Sequence, residues 1–135
     1  MIRVIDASVA CKWLVEEEGS AEAVRLLEKG EGLIAPDLVI PEVSSALSRK
    51  LLAGEITSQQ AKVAVEELAG FFDELVAGLR LAARSLAIAE DLRHSVYDCF
   101  YLALAEARGS QLITADTEFA RRLRGTRWAR WVSLI

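Results

Sequence analysis

The sequence predicts an α/β fold, a three-layer α/β/α sandwich with a mainly parallel central sheet. Short, largely apolar segments such as Ile2–Ile5 alternate with longer segments whose apolar residues recur at helical spacing. This alternation is typical of parallel strands that helices cover on both faces. The chain has 135 residues, of which 53% are hydrophobic, and it contains no linker or low-complexity tract. We therefore expect a single domain, residues 1–135, with a sizeable core.

The first half of the chain carries signals for two strands and four helices. Ser20 is a candidate N-cap for the second helix, and Gly30 is its stop signal. Pro41 falls within the third helical segment, where only the first turn tolerates it because N–H groups there have no helical partner. Thr57-Ser58-Gln59-Gln60 has the sequence of a capping box. The predicted elements are a strand at 2–5, helices at 8–15 and 21–29, a strand at 33–35, and helices at 36–52 and 57–70.

The second half continues the alternation of strands and helices. Ser95-Val96-Tyr97-Asp98 has the spacing of a second capping box, and Gly109 is the stop signal of the helix that follows. Asp73 and Glu74 weaken the strand pattern around them. The predicted elements are a strand at 72–76, helices at 79–92 and 96–108, a strand at 111–114, a helix at 117–123 and a strand at 131–135.

Composition excludes several classes of protein. The longest stretches without a charged residue, such as 99–105, are much shorter than the ~20 residues that a membrane-spanning helix needs. No signal-peptide pattern opens the chain, so we expect a cytoplasmic protein. Cys11 and Cys99 are too isolated for a disulfide framework or a zinc site, and we expect both to be small buried residues. The net charge of −4 argues mildly against a general nucleic-acid binder.

Four acidic residues lie in unusually apolar stretches, at strand ends or helix starts. Asp6 and Asp116 each follow a predicted strand, Glu42 lies in "LVIPEVSSAL", and Asp98 begins "DCFYLALA". Burying an ionised carboxylate is costly unless it is paired or bound to metal. Each acid also has a simpler explanation: Asp6 and Asp116 as helix caps, Asp98 as part of a capping box, and Glu42 as a solvated acid. In open α/β sheets, however, ligands bind beyond the carboxyl ends of the strands, where these acids would meet.

Four carboxylates in one pocket repel each other unless a cation is present. Oxygen ligands suit Mg²⁺ or Mn²⁺, and no Cys/His cluster offers a zinc site instead. Magnesium held by carboxylates commonly takes phosphate oxygens as further ligands, and it can lower the pKa of a bound water. The predicted chemistry is therefore metal-assisted hydrolysis of a phosphate ester or diester.

Four segments span the chain in order: "IDASVACKW", "APDLVIPEVSSAL", "SVYDCFYLALAEARGSQLITAD" and "WVSLI". Together they resemble the PIN domain family, and within it the VapC-type ribonuclease toxins. The resemblance implies an α/β/α sandwich that gathers acids around Mg²⁺ or Mn²⁺ and cleaves RNA. It also implies a homodimer, and an antitoxin partner whose peptide lies across the active groove. By the same resemblance, the metal-site and catalytic acids are Asp6, Glu42, Asp98 and Asp116.

The resemblance also marks supporting positions. Ser8 and Thr114 match hydroxyl positions beside the first and last acids. Ser45 stands where the family often has Asn. Serine keeps the hydrogen-bonding capacity but reaches less far, so we expect altered positioning of Glu42 or of a water without loss of activity. Glu118 is either an additional acid near the metal or a solvated helix position, and the second interpretation is favoured.

Three further features have alternative explanations. The segment 121–130 places five arginines beside two tryptophans; it could bind phosphates and stack bases, or form a solvated basic face whose tryptophans cover the core. Lys12 could contact a phosphate or be a surface lysine. His94, the only histidine, precedes a helix, and general-base catalysis by it is not favoured.

Two other functions are compatible with the fold class. A phosphoacceptor signalling domain also places acids at strand ends, but it needs an adjacent acidic pair on the first strand and a late lysine. Asp6 stands alone, and no lysine follows Lys62. A PIN-like scaffold that binds RNA or protein without cleaving it is the third hypothesis, and the intact set of four acids speaks against it.

Overall fold

The computed structural model describes residues 1–135 and contains one five-stranded sheet. The strands are β1 (Ile2–Ile5), β2 (Gly32–Pro36), β3 (Glu74–Val76), β4 (Gln111–Thr114) and β5 (Val132–Leu134). Their order is β3-β2-β1-β4-β5, and every neighbouring pair is parallel. The strand order therefore reverses between β1 and β4, which makes their carboxyl ends the topological switch point of the sheet.

Seven α-helices connect and cover the strands. Helices α1 to α4 form one group in which neighbours pack against each other, whereas α5 packs along α6 and α6 lies against β1, β2 and β4. The predicted three-layer α/β/α arrangement is confirmed. The helices are α1 (Ala7–Leu14), α2 (Ser20–Glu28), α3 (Val39–Leu52), α4 (Ser58–Leu68), α5 (Ala82–Leu92), α6 (Val96–Arg108) and α7 (Thr117–Leu123), with 3₁₀ turns at Ala69–Phe71, Gly78–Arg80 and Arg127–Trp131.

Several helix signals act as the sequence predicts. The Thr57 hydroxyl accepts a hydrogen bond from the Gln60 N–H, and the Gln60 side chain accepts one from the Thr57 N–H, which completes the capping box of α4. Pro41 lies in the first turn of α3, where its missing N–H leaves no bond unmade. Gly109 ends α6 with a φ of 60°, a left-handed conformation that glycine adopts without strain.

Two predicted caps are wrong. Ser20 is the first residue of α2 and not its cap; its hydroxyl instead accepts from the Glu17 N–H and donates to the Val15 carbonyl, which fixes the preceding turn. Ser95 makes no side-chain cap of α6, so the predicted capping box with Asp98 does not form. The preceding turn engages the Ser20 hydroxyl, and in the second case Asp98 pairs with His94 instead of completing the box.

Three predicted boundaries are also wrong by a few residues. The helix predicted from residue 36 begins at Val39, because Pro36 is the last residue of β2. The helix predicted at 79–92 begins as the 3₁₀ turn Gly78–Arg80 and becomes α-helical at Ala82. The last strand is limited to residues 132–134, because a 3₁₀ turn precedes it.

The buried core runs through the sheet and α6. Consecutive residues of α6 from Tyr101 to Ala105 are all buried, so this helix is enclosed on most of its circumference. Cys11 and Cys99 are buried free thiols, as predicted. None of the helices combines the length and the apolar character that crossing a bilayer requires.

Candidate active site

A cavity of about 300 Å³ lies at the carboxyl ends of β1 and β4, and all four predicted acids line it. Asp6 follows β1 directly, and Asp116 follows β4 after one residue. Glu42 and Asp98 reach the same cavity from the first turns of α3 and α6. Because β1 and β4 are adjacent parallel strands, residues 110 positions apart in the chain meet at one edge of the sheet.

The four acids differ in burial, which corrects the expectation drawn from their apolar surroundings. Only Asp6 is buried, at 8% exposure. Glu42 and Asp98 are half-buried, and Asp116 is exposed. Leu112 and Ile113, the apolar residues that precede Asp116, are buried, whereas Asp116 is exposed where it lines the cavity.

Asp6 is a helix cap and a cavity carboxylate at once. Its Oδ1 accepts hydrogen bonds from the Ser8 hydroxyl at 2.6 Å and from the Val9 N–H at 3.2 Å, so it caps α1. Burial raises the pKa of the Asp6 carboxyl to about 6, the Ser8 and Val9 hydrogen bonds oppose this, and the nearby Asp98 carboxylate raises it further. An ionised Asp6 is therefore costly in this cavity unless a cation joins it.

Glu42 is oriented by a residue that the sequence did not indicate. The Tyr101 hydroxyl, from α6, donates to Glu42 Oε1 at 2.6 Å. Burial raises the pKa of Glu42, the Tyr101 hydrogen bond opposes that rise, and Asp98 adds to it. Burial and the facing Glu42 carboxylate hold the pKa of Tyr101 far above its usual range, so its hydroxyl stays protonated and remains a donor. In the sequence, Tyr101 is one apolar position of a buried helix.

Asp98 pairs with His94 and not with a capping serine. His94 Nε2 lies 2.6 Å from Asp98 Oδ2, and the imidazole stacks on Phe119 with ring centroids 5.1 Å apart. The side chain of His94 is mostly shielded, with 15% exposure. The spacing of four residues between His94 and Asp98 is visible in the sequence. His94 precedes α6, however, and the sequence does not indicate that its side chain lies beside that of Asp98.

Ser8 and Thr114 join the two strand ends. The Ser8 hydroxyl, which donates to Asp6, accepts from the Ala115 N–H at 2.9 Å. Thr114 Oγ1 accepts from the Asp116 N–H at 3.0 Å and lies 3.4 Å from Ser8 Oγ. Asp116 in turn accepts from the Phe119 N–H and caps α7. Both hydroxyls thus hold the backbone that carries the first and last acids.

Ser45 and Glu118, the other two positions considered from the sequence, form no hydrogen bond with the four acids. Ser45 is exposed and makes no hydrogen bond with Glu42; its hydroxyl accepts from the Arg49 guanidinium at 3.0 Å. Glu118 is exposed and pairs with Arg121, so the solvated helix position is the interpretation that the structure supports.

The basic segment 121–130 packs on the core through Trp128. This indole is 1% exposed, and the guanidiniums of Arg84 and Arg127 lie 5.3 and 4.6 Å from its ring centroid. A nucleic-acid base has no access to a ring enclosed in this way. For Trp128, the structure therefore favours a core-covering tryptophan over a base-stacking one; Trp131 is half-buried.

The donor set of the cavity suits a hard divalent cation. Its charged donor atoms are carboxylate oxygens, and no imidazole lines it. The one thiol in its lining, that of Cys11, stays protonated because burial raises its pKa to about 11. The buried Asp6 carboxylate has no basic partner. In the side-chain arrangement described, no three His, Cys, Asp or Glu residues stand close enough to hold one ion directly. Mg²⁺ commonly takes only one or two carboxylates and keeps several waters, so these residues fit a partly hydrated ion.

Comparisons with known proteins give one family. A family model described as "PIN domain" matches residues 3–123. "Ribonuclease VapC3" of Pyrobaculum aerophilum is 34% identical over 121 residues, which are 88% of this chain and 92% of that protein. "Ribonuclease VapC1" of Mycobacterium tuberculosis is 34% identical over 119 residues, which are 87% of each chain.

Solved structures agree on the fold. PAE2754 from Pyrobaculum aerophilum superposes with a TM-score of 0.72 at 22% identity, over 93% of this chain and 82% of that one. The structure of VapBC2 from Rickettsia felis bound to a DNA fragment from its promoter superposes with a TM-score of 0.67 at 13% identity, over 100% of this chain and 99% of that one. At these identities the likeness is one of fold.

Proposed function

This chain belongs to the PIN domain family, and from that membership we propose that it is a divalent-metal-dependent endoribonuclease, the toxin of a toxin–antitoxin pair. The observation that carries the proposal is the meeting of Asp6, Glu42, Asp98 and Asp116 around one cavity at the switch point of the sheet. The relatives named as VapC ribonucleases cover most of the chain and give the substrate class, RNA.

The four acids have the roles of metal ligands in this proposal. A divalent cation held by these acids would neutralise charge on the phosphoryl group and would lower the pKa of water, which would supply a hydroxide nucleophile near neutral pH. Asp6 offers a desolvated carboxylate whose position is fixed by the cap of α1. Tyr101 orients Glu42, and His94 orients Asp98. Ser8 and Thr114 fix the strand ends, so the acids are held on rigid elements.

Two partners belong to the same proposal. The first is an antitoxin whose peptide lies across the acid cavity, as the family resemblance implies; the likeness of fold to VapBC2 supports it. A homodimer remains a prediction from the family resemblance, and light scattering of the purified protein would test it. The phosphoacceptor alternative is not supported, because the family model is that of the PIN domain and the relatives are named as VapC ribonucleases.

The direct test is RNA hydrolysis by the purified protein. We expect single-stranded RNA to be cleaved with Mn²⁺ or Mg²⁺ and to remain intact with EDTA. Asp98→Asn should lose at least a hundredfold in rate, since an amide is a weak ligand for a hard cation. Glu66→Gln, an exposed residue of α4, is the matched control and should be fully active. Cleavage that persists with EDTA or in Asp98→Asn would contradict the proposal.

The Tyr101–Glu42 hydrogen bond predicts a shifted pH profile. Because the phenol donates to the charged form of Glu42, Tyr101→Phe should raise the pKa of Glu42 further and move the acidic limb of the rate profile to higher pH. The free energy of unfolding should fall by about 1 kcal/mol, the typical net value of one hydrogen bond. Tyr97→Phe removes an exposed hydroxyl from the same helix and should leave both quantities unchanged. An unshifted acidic limb in Tyr101→Phe would show that Glu42 does not limit the rate.

A further inference from the structure

A second cavity, of about 520 Å³, adjoins the acid cavity and is lined by three basic side chains, Lys12, Arg49 and Lys50. The two cavities share the lining residues Ser8, Cys11, Ala46 and Arg49. Arg49 is the one charged residue among them, so a molecule that extends from the four carboxylates into the second cavity passes beside its guanidinium. The acid cavity has no other basic residue in its lining.

The three basic residues differ in whether an acid neutralises them. Lys12 and Lys50 both pair with Glu17, at 3.3 and 3.0 Å, and Lys50 also lies 3.7 Å from Glu55. Arg49 has no carboxylate within ion-pair distance. Its polar contact is the donation from its Nη1 to Ser45 Oγ, one helical turn earlier on α3. Arg49 is thus an exposed cation whose charge is uncompensated and whose side chain is tethered at the junction of the two cavities.

Arg49 is also not a counter-ion of the acids themselves. The side chains that hydrogen-bond the acids are Ser8 for Asp6, Tyr101 for Glu42 and His94 for Asp98. None of the four carboxylates forms an ion pair with the Arg49 guanidinium, whose polar contact is Ser45. A guanidinium that lines the acid cavity without pairing there is available for an anion of another molecule. Its planar fork matches the geometry of a phosphate, which it can bind through two parallel hydrogen bonds.

We propose that Arg49, tethered by Ser45, binds the phosphate next to the scissile one in single-stranded RNA, and so positions the RNA backbone across the four carboxylates. This inference rests on the proposed function, because it deepens the same site. RNA carries phosphates at regular intervals, and four carboxylates at the scissile position repel them. An uncompensated cation at the mouth of the neighbouring cavity offsets that repulsion and fixes the register of the backbone. Arg49 is a substrate-binding residue and takes no part in the bond-breaking step.

The test measures RNA binding separately from cleavage. Asp98→Asn serves as the cleavage-deficient background, and a fluorescently labelled short single-stranded RNA is the probe. In that background, Arg49→Ala should weaken the affinity about tenfold, as expected for the loss of a charge-assisted contact. The slope of log K against log salt concentration should shrink by about 0.7, the value for one phosphate contact on a single strand. Arg49→Lys keeps the charge but not the fork, so it should restore the slope and only part of the affinity.

Two controls separate this role from a general effect of charge. Arg25→Ala removes an equally exposed arginine of α2 that lines neither cavity, and it should change the affinity less than twofold. In the cleavage-competent protein, Arg49→Ala should act mainly on KM, and the effect should vanish for an RNA truncated to the single scissile phosphate. Equal affinity and slope in Arg49→Ala and its parent, or equal losses in Arg25→Ala, would overturn the inference. Failure of the wild-type protein to cleave RNA would overturn the proposed function instead, while the binding comparison still decides the role of Arg49.

Discussion

Replacing Asp6 by Asn should abolish RNA cleavage and, at the same time, make the metal-free protein more stable. The loss of activity, at least a hundredfold, follows from removing the one buried carboxylate of the cavity. The gain in stability follows from the cost of that carboxylate. Burial raises the pKa of Asp6 from its ordinary 3.8 to about 6, so the folded metal-free protein binds a proton there more tightly than the unfolded chain does.

The sign of this effect depends on pH. Since the pKa is raised on folding, the Asp6 carboxylate destabilises the fold above pH 6, and the destabilisation fades as the pH falls from 6 to 3.8. At pH 7.5 the difference between the two pKa values corresponds to about 3 kcal/mol at most. Asn is an equally good N-cap, so the hydrogen bond to the Val9 N–H at the start of α1 should survive the substitution.

Urea unfolding in EDTA, at several pH values, measures this prediction. Asp6→Asn should be more stable than the wild type at pH 7.5, by about 1–3 kcal/mol, and the difference should shrink towards pH 4. Glu66→Gln removes an exposed carboxylate from α4, and it should alter neither stability nor cleavage. A destabilised Asp6→Asn protein at pH 7.5 would mean that Asp6 already has a favourable partner in the metal-free fold. Full cleavage of RNA by Asp6→Asn would show that Asp6 is not an active-site residue.

The fold and the four acids were accessible from the sequence because both rest on local patterns. Alternating apolar strands and amphipathic helices predict a parallel sheet, and a parallel sheet brings its strand ends to one edge. Asp6 and Asp116 follow strands that are adjacent in space, so the topology alone places them together. Their alternative interpretation as caps is equally right, since each caps the next helix while lining the cavity.

The residues that orient the acids were not accessible in this way. Tyr101 donates to Glu42 across 59 positions of the chain, and its place on an apolar helix makes it indistinguishable from a core residue. His94 pairs with Asp98, whereas the sequence pattern assigned Asp98 to a capping box with Ser95 that does not form. Arg49 has no acidic partner, whereas the two nearby lysines pair with Glu17 and one of them also with Glu55. The Tyr101 contact joins distant segments, whereas the contacts of His94 and Arg49 are each four residues apart and depend on which rotamers and partners the fold selects. Helical or strand periodicity encodes none of the three.

Adding Mn²⁺ should stabilise the wild-type protein strongly at pH 7.5 and much less at pH 5. A ligand that binds only the folded state adds about 2.7 kcal/mol to the free energy of unfolding at a hundredfold excess over its Kd. The cavity collects four carboxylates, and their mutual repulsion makes any cation that joins them favourable. A non-catalytic PIN-like scaffold that has lost metal binding would show no such gain in stability. This measurement therefore separates the scaffold hypothesis from the metal-dependent ribonuclease.

The pH dependence follows from competition between the metal and a proton. A carboxylate must be ionised to bind a metal, and the pKa of Asp6 in the metal-free protein is about 6. One pH unit below that value, about a tenth of Asp6 is ionised, so the apparent affinity should fall about tenfold and the stabilisation at fixed Mn²⁺ by about 1.4 kcal/mol. The raised pKa of Glu42 acts in the same direction.

Thermal melting with and without Mn²⁺, at pH 7.5 and pH 5, tests whether Mn²⁺ binds at Asp6. The proteins compared are the wild type, Glu66→Gln and Asp6→Asn. Wild type and Glu66→Gln should show the same large upward shift at pH 7.5, while Asp6→Asn should show little shift at either pH. A shift in Asp6→Asn as large as in the wild type would place the Mn²⁺ outside the acid cavity. A wild-type shift that is equal at the two pH values would mean that the metal does not displace a proton from Asp6, and that the buried carboxylate is not its ligand.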